Sequence, residues 1–168
     1  MCMAGTSIDC MMAFDSDSKQ MAIDKCSSRC LTTSVEDFLP GTVSKCNVVV
    51  AGVGGLVKCK TKRTVSWTIK DNQGWAHNIF IPDTPGSDAL PNRLLSPQHW
   101  AQETEKKSRF PIPKKWRPSC TINADKTTLT WARERFARIV ILDRHRNVSV
   151  MSAKVGIKRY PVFAASVK

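Results

Sequence analysis

No apolar run in this chain of 168 residues is long enough to cross a bilayer. The longest candidates, Val48 to Val53 and Ile139 to Leu142, fall far short of the roughly 20 residues that a helical span requires, so no membrane contact is expected. The opening Met1-Cys2-Met3-Ala4-Gly5 has neither the basic residues nor the extended apolar core of a secretory signal. Cysteines number seven, an odd count with no repeated close pair, which argues against a disulfide framework and for reduced thiols in a cytoplasmic setting. Cys26-x-x-x-Cys30 with His99 or Cys120 is an incomplete zinc set, and no metal or cofactor is expected. Acid is in short supply against base: 14 Asp and Glu face 26 Lys and Arg, for a formal net charge of +12. That imbalance implies attraction to polyanions and leaves the fold open. Residues 1 to 40 hold six of the acids and only three bases, so the positive charge comes from further along the chain.

The length suits one domain with a real core, or a small domain carrying an extension. Met-rich residues 1–20 are expected to fray. Val35 to Leu39 is expected to make one helical turn capped by Ser34 and ended by Pro40-Gly41. Strands follow. Cys46 to Ala51 and Leu56 to Lys60 flank Gly52-Val53-Gly54-Gly55, a flexible hairpin tip. A phosphate-binding loop is excluded there, because no Lys-Ser/Thr pair follows and no helical pattern begins at Leu56. Thr64 to Lys70 alternates cleanly, Asp71 to Gly74 turns, and Trp75 to Ile81 returns as the partner strand. His77 falls in register with Trp75, Ile79 and Ile81 and reads as a half-buried structural residue. Residues 82–91 are a loop by composition. Arg93-Leu94-Leu95 is a short buried strand, and Ser96-Pro97 starts a helix with Ser96 as N-cap and Pro97 at the first helical position.

The stretch that carries chemistry is Met21-Ala22-Ile23-Asp24-Lys25-Cys26-Ser27-Ser28, an apolar strand running into an aspartate and a polar turn. A carboxylate fixed at a strand end suits a reacting group. An aspartate there also serves as a plain turn former. Phe14-Asp15 offers the same local pattern and is a rival for the role.

Residues 106–118 hold six bases, Lys106, Lys107, Arg109, Lys114, Lys115 and Arg117, with three prolines and no acid. The prolines exclude a regular helix and predict a linker or extended arm. Its bases suit RNA or DNA phosphates, with Phe110 and Trp116 available to stack on bases; a solvated connector is the plainer alternative. Beyond it, Cys120–Ile122, Thr128–Trp131, Arg138–Leu142 and Asn147–Val150 read as short strands, so 119–168 is a C-terminal β extension.

Taken together, apolar-Asp-turn, glycine-rich hairpin, alternating hairpin ending in Ile81-Pro82, and Asn92-Arg93-Leu94-Leu95-Ser96 resemble the protease region of copia-type retrotransposon Pol polyproteins. In that family a strand ends in Asp-Ser-Gly-Ala-Ser, a Gly-x-Gly hairpin follows, and Asn-Leu-Leu-Ser lies downstream. The resemblance implies a mostly β chain with a retropepsin-like barrel, partly open or closed, over 21–105, with one or two short helices. It also implies an aspartic endopeptidase acting on a polyprotein as a homodimer, each chain contributing one aspartate. Two carboxylates a few ångströms apart cannot both ionise, so one stays protonated as acid while the other activates water. Asp24 would be that carboxylate, Lys25, Cys26, Ser27 and Ser28 its loop, and Gly52, Gly54 and Gly55 the tip of a substrate-covering flap. Leu94 and Leu95 would support the loop from below. Lys25 stands where the family has Ser or Thr, and Cys26 where it has Gly. A cation at 25 favours ionised carboxylates, against the shared proton, unless its side chain points away. The alternative from another class is a non-catalytic basic β module that binds single-stranded nucleic acid through 106–118.

Overall fold

A computed structural model describes residues 18–42, 44–52, 55–106, 110, 111, 113, 116–145 and 147–157. Its strands are β1 (Ser18–Ile23), β2 (Ser44–Gly52), β3 (Gly55–Lys70), β4 (Ala76–Gly86), β5 (Arg93–Leu95), β6 (Ser119–Ile122), β7 (Lys126–Trp131), β8 (Phe136–Asp143) and β9 (Val148–Val155). One α-helix, α1 (Pro97–Lys106), interrupts them among the described residues, so the chain is mostly β. That helix is not long and apolar enough to cross a membrane.

Two antiparallel ladders dominate: β2–β3–β4, built on the 16-residue β3, and β6–β7–β8. β9 joins them. It pairs with β8 at Val148 and Ser149, with β3 at Lys154 and Val155, and along its length with β1, from Ser18↔Lys154 to Ile23↔Ser149. On its other side β1 runs parallel to β5, with Ile23 opposite Leu95. The strand path is an open sheet, not one closed into a barrel. Outside the named strands, Leu31 bridges to Leu94 of β5 and Thr32 to Gly86 of β4.

One core unites the two halves. Met21, Trp67, Ile79, Ile81 and Leu95 from the first pack with Leu129, Phe136, Val140 and Met151 from the second. Trp100 of α1 lies among them, edge-on to Trp131 at 5.2 Å and to Phe136 at 6.2 Å. Residues 119–155 are therefore integral to the same body as 21–105, rather than an added extension.

Several boundaries differ from those read in the sequence. β1 begins at Ser18, so residues 18–20 are ordered in a strand; residues 1–17 lie outside the described residues. The first half of the expected loop, residues 82–86, is instead the second half of β4, and 87–91 lie outside any strand or helix. A register shift opposite Arg63–Val65 takes up Pro82, which has no N–H to donate, and Asp83, whose φ is 57°, after which Thr84 and Pro85 pair again with Arg63 and Lys62. The helical turn at Val35–Asp37 forms, but Ser34 makes no side-chain capping bond. Ser96 does cap α1, its Oγ accepting the His99 amide at 3.2 Å.

Candidate active site

β1 is held on both sides, by β9 and β5, so the residue that follows it leaves the sheet from a fixed point. That residue is Asp24. Its amide donates to the Leu95 carbonyl at 3.0 Å, continuing the β1–β5 ladder by one step, and its Oδ1 accepts the Cys26 amide at 2.8 Å. The second bond is the Asx turn that an aspartate after a strand favours. The carboxylate is half-buried, while Lys25, Cys26 and Ser28 beyond it are exposed.

The turn is locked from behind. Ser27 Oγ donates to the Arg29 carbonyl at 2.8 Å, and the Ser27 carbonyl accepts the Ser96 hydroxyl. Cys30 is fully buried: its amide donates to His99 Nδ1 at 2.9 Å, and its sulfur accepts the Ser96 amide at 3.2 Å. An accepting Nδ1 places the proton of neutral His99 on Nε2, toward Glu103 Oε1 at 3.7 Å. Burial pushes the His99 pKa below its ordinary value, opposed by Glu103. Burial also drives the Cys30 thiol up to about 12, so it stays protonated and is no nucleophile. Among the described residues no group of three or more His, Cys, Asp or Glu could hold a metal ion.

β5 is fastened in turn by a buried ion pair. Arg93 donates from Nε to Asp37 Oδ2 at 2.7 Å and from Nη2 to Oδ1, and its Nη1 reaches the Ala153 carbonyl of β9 at 2.7 Å. The Thr32 hydroxyl adds a further bond to Asp37. Both charged side chains are completely shielded from solvent. Asp37, Arg93, Ser96 and His99 thus form the frame under Asp24. Of these, sequence pattern alone marks only Ser96, through its cap.

A groove of about 600 Å³ opens above the frame. Asp24, Cys26, Ser27 and Ser28 line one wall, Val48 to Ala51 of β2 the other, and Leu90 to Leu94 part of the floor. The sequence-predicted aspartate and hairpin therefore meet across one cleft. Gly52 and Gly55 pair at the hairpin end, Gly55 at a φ of +116° that favours glycine, while Gly54 lies outside the described residues. Lys25 does not line the groove; its charge is felt instead by the Cys120 thiol of β6, whose pKa burial raises and Lys25 lowers.

Two of the six bases of the basic segment are among the described residues, and each has an acid beside it. Lys106 Nζ lies 2.8 Å from Glu103 Oε1, and Arg117 Nη2 lies 2.9 Å from Glu105 Oε1. Trp116 is half-exposed, and its carbonyl accepts the Trp131 indole N–H at 3.0 Å. Lys107, Arg109, Lys114 and Lys115 lie outside the described residues, as does Asp15. His77 is structural as expected, its Nε2 lying 2.9 Å from Asp71 Oδ2. Compared with protein-family models, curated proteins and solved structures, the chain matches none.

Proposed function

We propose that this chain is an aspartic endopeptidase of the retropepsin-like type, resembling the protease region of copia-type retrotransposon polyproteins and acting in the cytoplasm as a homodimer. The observation that carries the reading is the half-buried Asp24 carboxylate, anchored to β5 and facing a groove roofed by β2. The exposed turn at Lys25 and Cys26 leaves the carboxylate open to approach by a second copy. With two such carboxylates in contact, one keeps a proton and hydrogen-bonds the scissile carbonyl. The other takes a proton from water, whose oxygen attacks the carbonyl carbon. The carboxyl that took the water proton then gives it to the nitrogen as the C–N bond breaks, and the tetrahedral intermediate collapses to a carboxylic acid and an amine. The groove favours an extended polypeptide, because β2, an edge strand among the described residues, forms one wall and its Val48 and Val50 side chains are apolar.

The test is cleavage of a peptide library at mildly acid pH. Asp24→Asn should abolish turnover while Asp15→Asn retains it. Cleavage that survives Asp24→Asn would remove the assignment.

A further inference from the structure

The hairpin that roofs the groove has a second face. Between Ser44 and Arg63 the sequence carries five bases and no acid. Strand alternation separates these residues by chemistry. Cys46, Val48, Val50, Val57 and Cys59 turn inward with Leu31 and Leu90, whereas Lys45, Val49, Leu56, Lys58 and Lys60 are exposed. Lys58 and Lys60 are two residues apart on one strand, which sets their Cα atoms about 6.8 Å apart. Lys45 and Lys60 line the same shallow depression, at the bulge in β2. Lys62, next in the row, is already engaged by Asp83 at 2.8 Å, but no ion pair to Lys45, Lys58 or Lys60 occurs among the described residues. A row of ammonium groups without acid partners of their own is unfavourable by self-repulsion and becomes favourable once a line of anions lies along it.

We infer that the outer face of β2–β3 binds the backbone of single-stranded nucleic acid through Lys58 and Lys60, with Lys45, which shares a depression with Lys60 at the bulge, at its rim. Spacing and chemistry favour this occupant. Lys58 and Lys60 are spaced along an extended strand, as phosphates are along an extended nucleic acid chain, and the exposed Leu56 offers apolar surface to unstacked bases. The face carries no aromatic side chain and no acid, so contact is to phosphate and is independent of sequence. The site is separate from the groove, on the opposite side of the same ribbon, and does not depend on the protease reading.

Fluorescence anisotropy of a labelled 20-nucleotide oligo-dT, titrated with the full chain across salt concentrations, tests this. Three phosphate contacts predict a slope of log K against log salt of about −2. Lys58→Glu/Lys60→Glu should weaken binding at least tenfold and flatten the slope. Lys126→Glu/Arg133→Glu, the same charge change at exposed positions elsewhere, should have a clearly smaller effect. Asp24→Asn should bind like the wild type, which separates this site from the proteolytic one. Equal losses in the two charge-reversed variants would overturn the inference, as would unchanged binding in Lys58→Glu/Lys60→Glu. So would loss confined to Lys106→Glu/Arg117→Glu, or binding to phosphatidylserine-containing vesicles with none to the oligonucleotide.

Discussion

Replacing Asp37 by leucine strands a guanidinium that has almost no exposure to water. Arg93 gives two of its donors to Asp37 and one to Ala153, so the variant leaves a buried cation held by a single carbonyl. Breaking a buried pair from one side costs about 3–5 kcal/mol. Against a total stability of about 5–15 kcal/mol this is a large fraction. With a urea dependence of about 2 kcal/mol per molar, the unfolding midpoint should fall by about 2 M. Arg93→Met alone should be comparably damaging, because it leaves the carboxylate with only the Thr32 hydroxyl for a side-chain partner. The double variant should recover part of the loss, since an apolar pair of similar volume no longer buries a charge. Recovery stays incomplete because the Ala153 carbonyl and the Thr32 hydroxyl each lose a partner, at about 1–3 kcal/mol apiece. The assay is a double-mutant cycle by urea unfolding, with a coupling energy of about 2 kcal/mol or more expected. If Asp37→Leu costs under about 1 kcal/mol, or the two single losses simply add, the pair does not hold the frame as argued.

A histidine whose folded pKa lies below the unfolded value of 6.5 binds fewer protons folded than unfolded over the interval between them. His99 therefore contributes its full stability above pH 6.5 and loses some as the pH falls from there toward its folded pKa. His99→Asn keeps an acceptor for the Cys30 amide and should flatten that slope in pH-dependent urea unfolding; an unchanged slope contradicts the assignment. Asp71 and Asp83 act lower. Asp71 is pushed up by burial but pulled down more by His77 and two amides, while Asp83 is lowered by Lys62, so both lose stability as the pH falls through and below their ordinary value of 3.8. Gly156→Ala should destabilise by more than about 2 kcal/mol in the same assay. A Cβ there would sit 2.7 Å from the Ser66 carbonyl carbon, on backbone fixed by the 2.8 Å bond from the Gly156 amide to the Ser66 carbonyl. A near-neutral Gly156→Ala would show that this approach is loose.

What was legible in the chain was what repeats locally. Val65, Trp67 and Ile69 announce the β3–β4 hairpin by alternation, Ser96-Pro97 announces α1, and Ile23-Asp24 announces a strand ending on a carboxylate. The frame beneath Asp24 was not legible. Asp37 and Arg93 stand 56 residues apart, and nothing in either neighbourhood marks a partner. Pro82 misled for a different reason: proline argues against a strand unless a bulge absorbs it, and bulges have no fixed signature in the sequence. The position of β9 was hidden too, because alternation reports which side chains face inward and says nothing of which strand lies alongside. Composition also did not show that Glu103 and Glu105 of α1 pair with Lys106 and Arg117 of the arm at 106–118.

The placement of β9 between β1 and β3 has a consequence for biosynthesis. A ribosome making this chain delivers the Asp24 turn and the hairpin long before the strand along which β1 lies, so β1 completes its ladder only once residues 149–154 are available. Ordering β1 against a strand more than 120 residues downstream also makes the last step of folding a long-range closure.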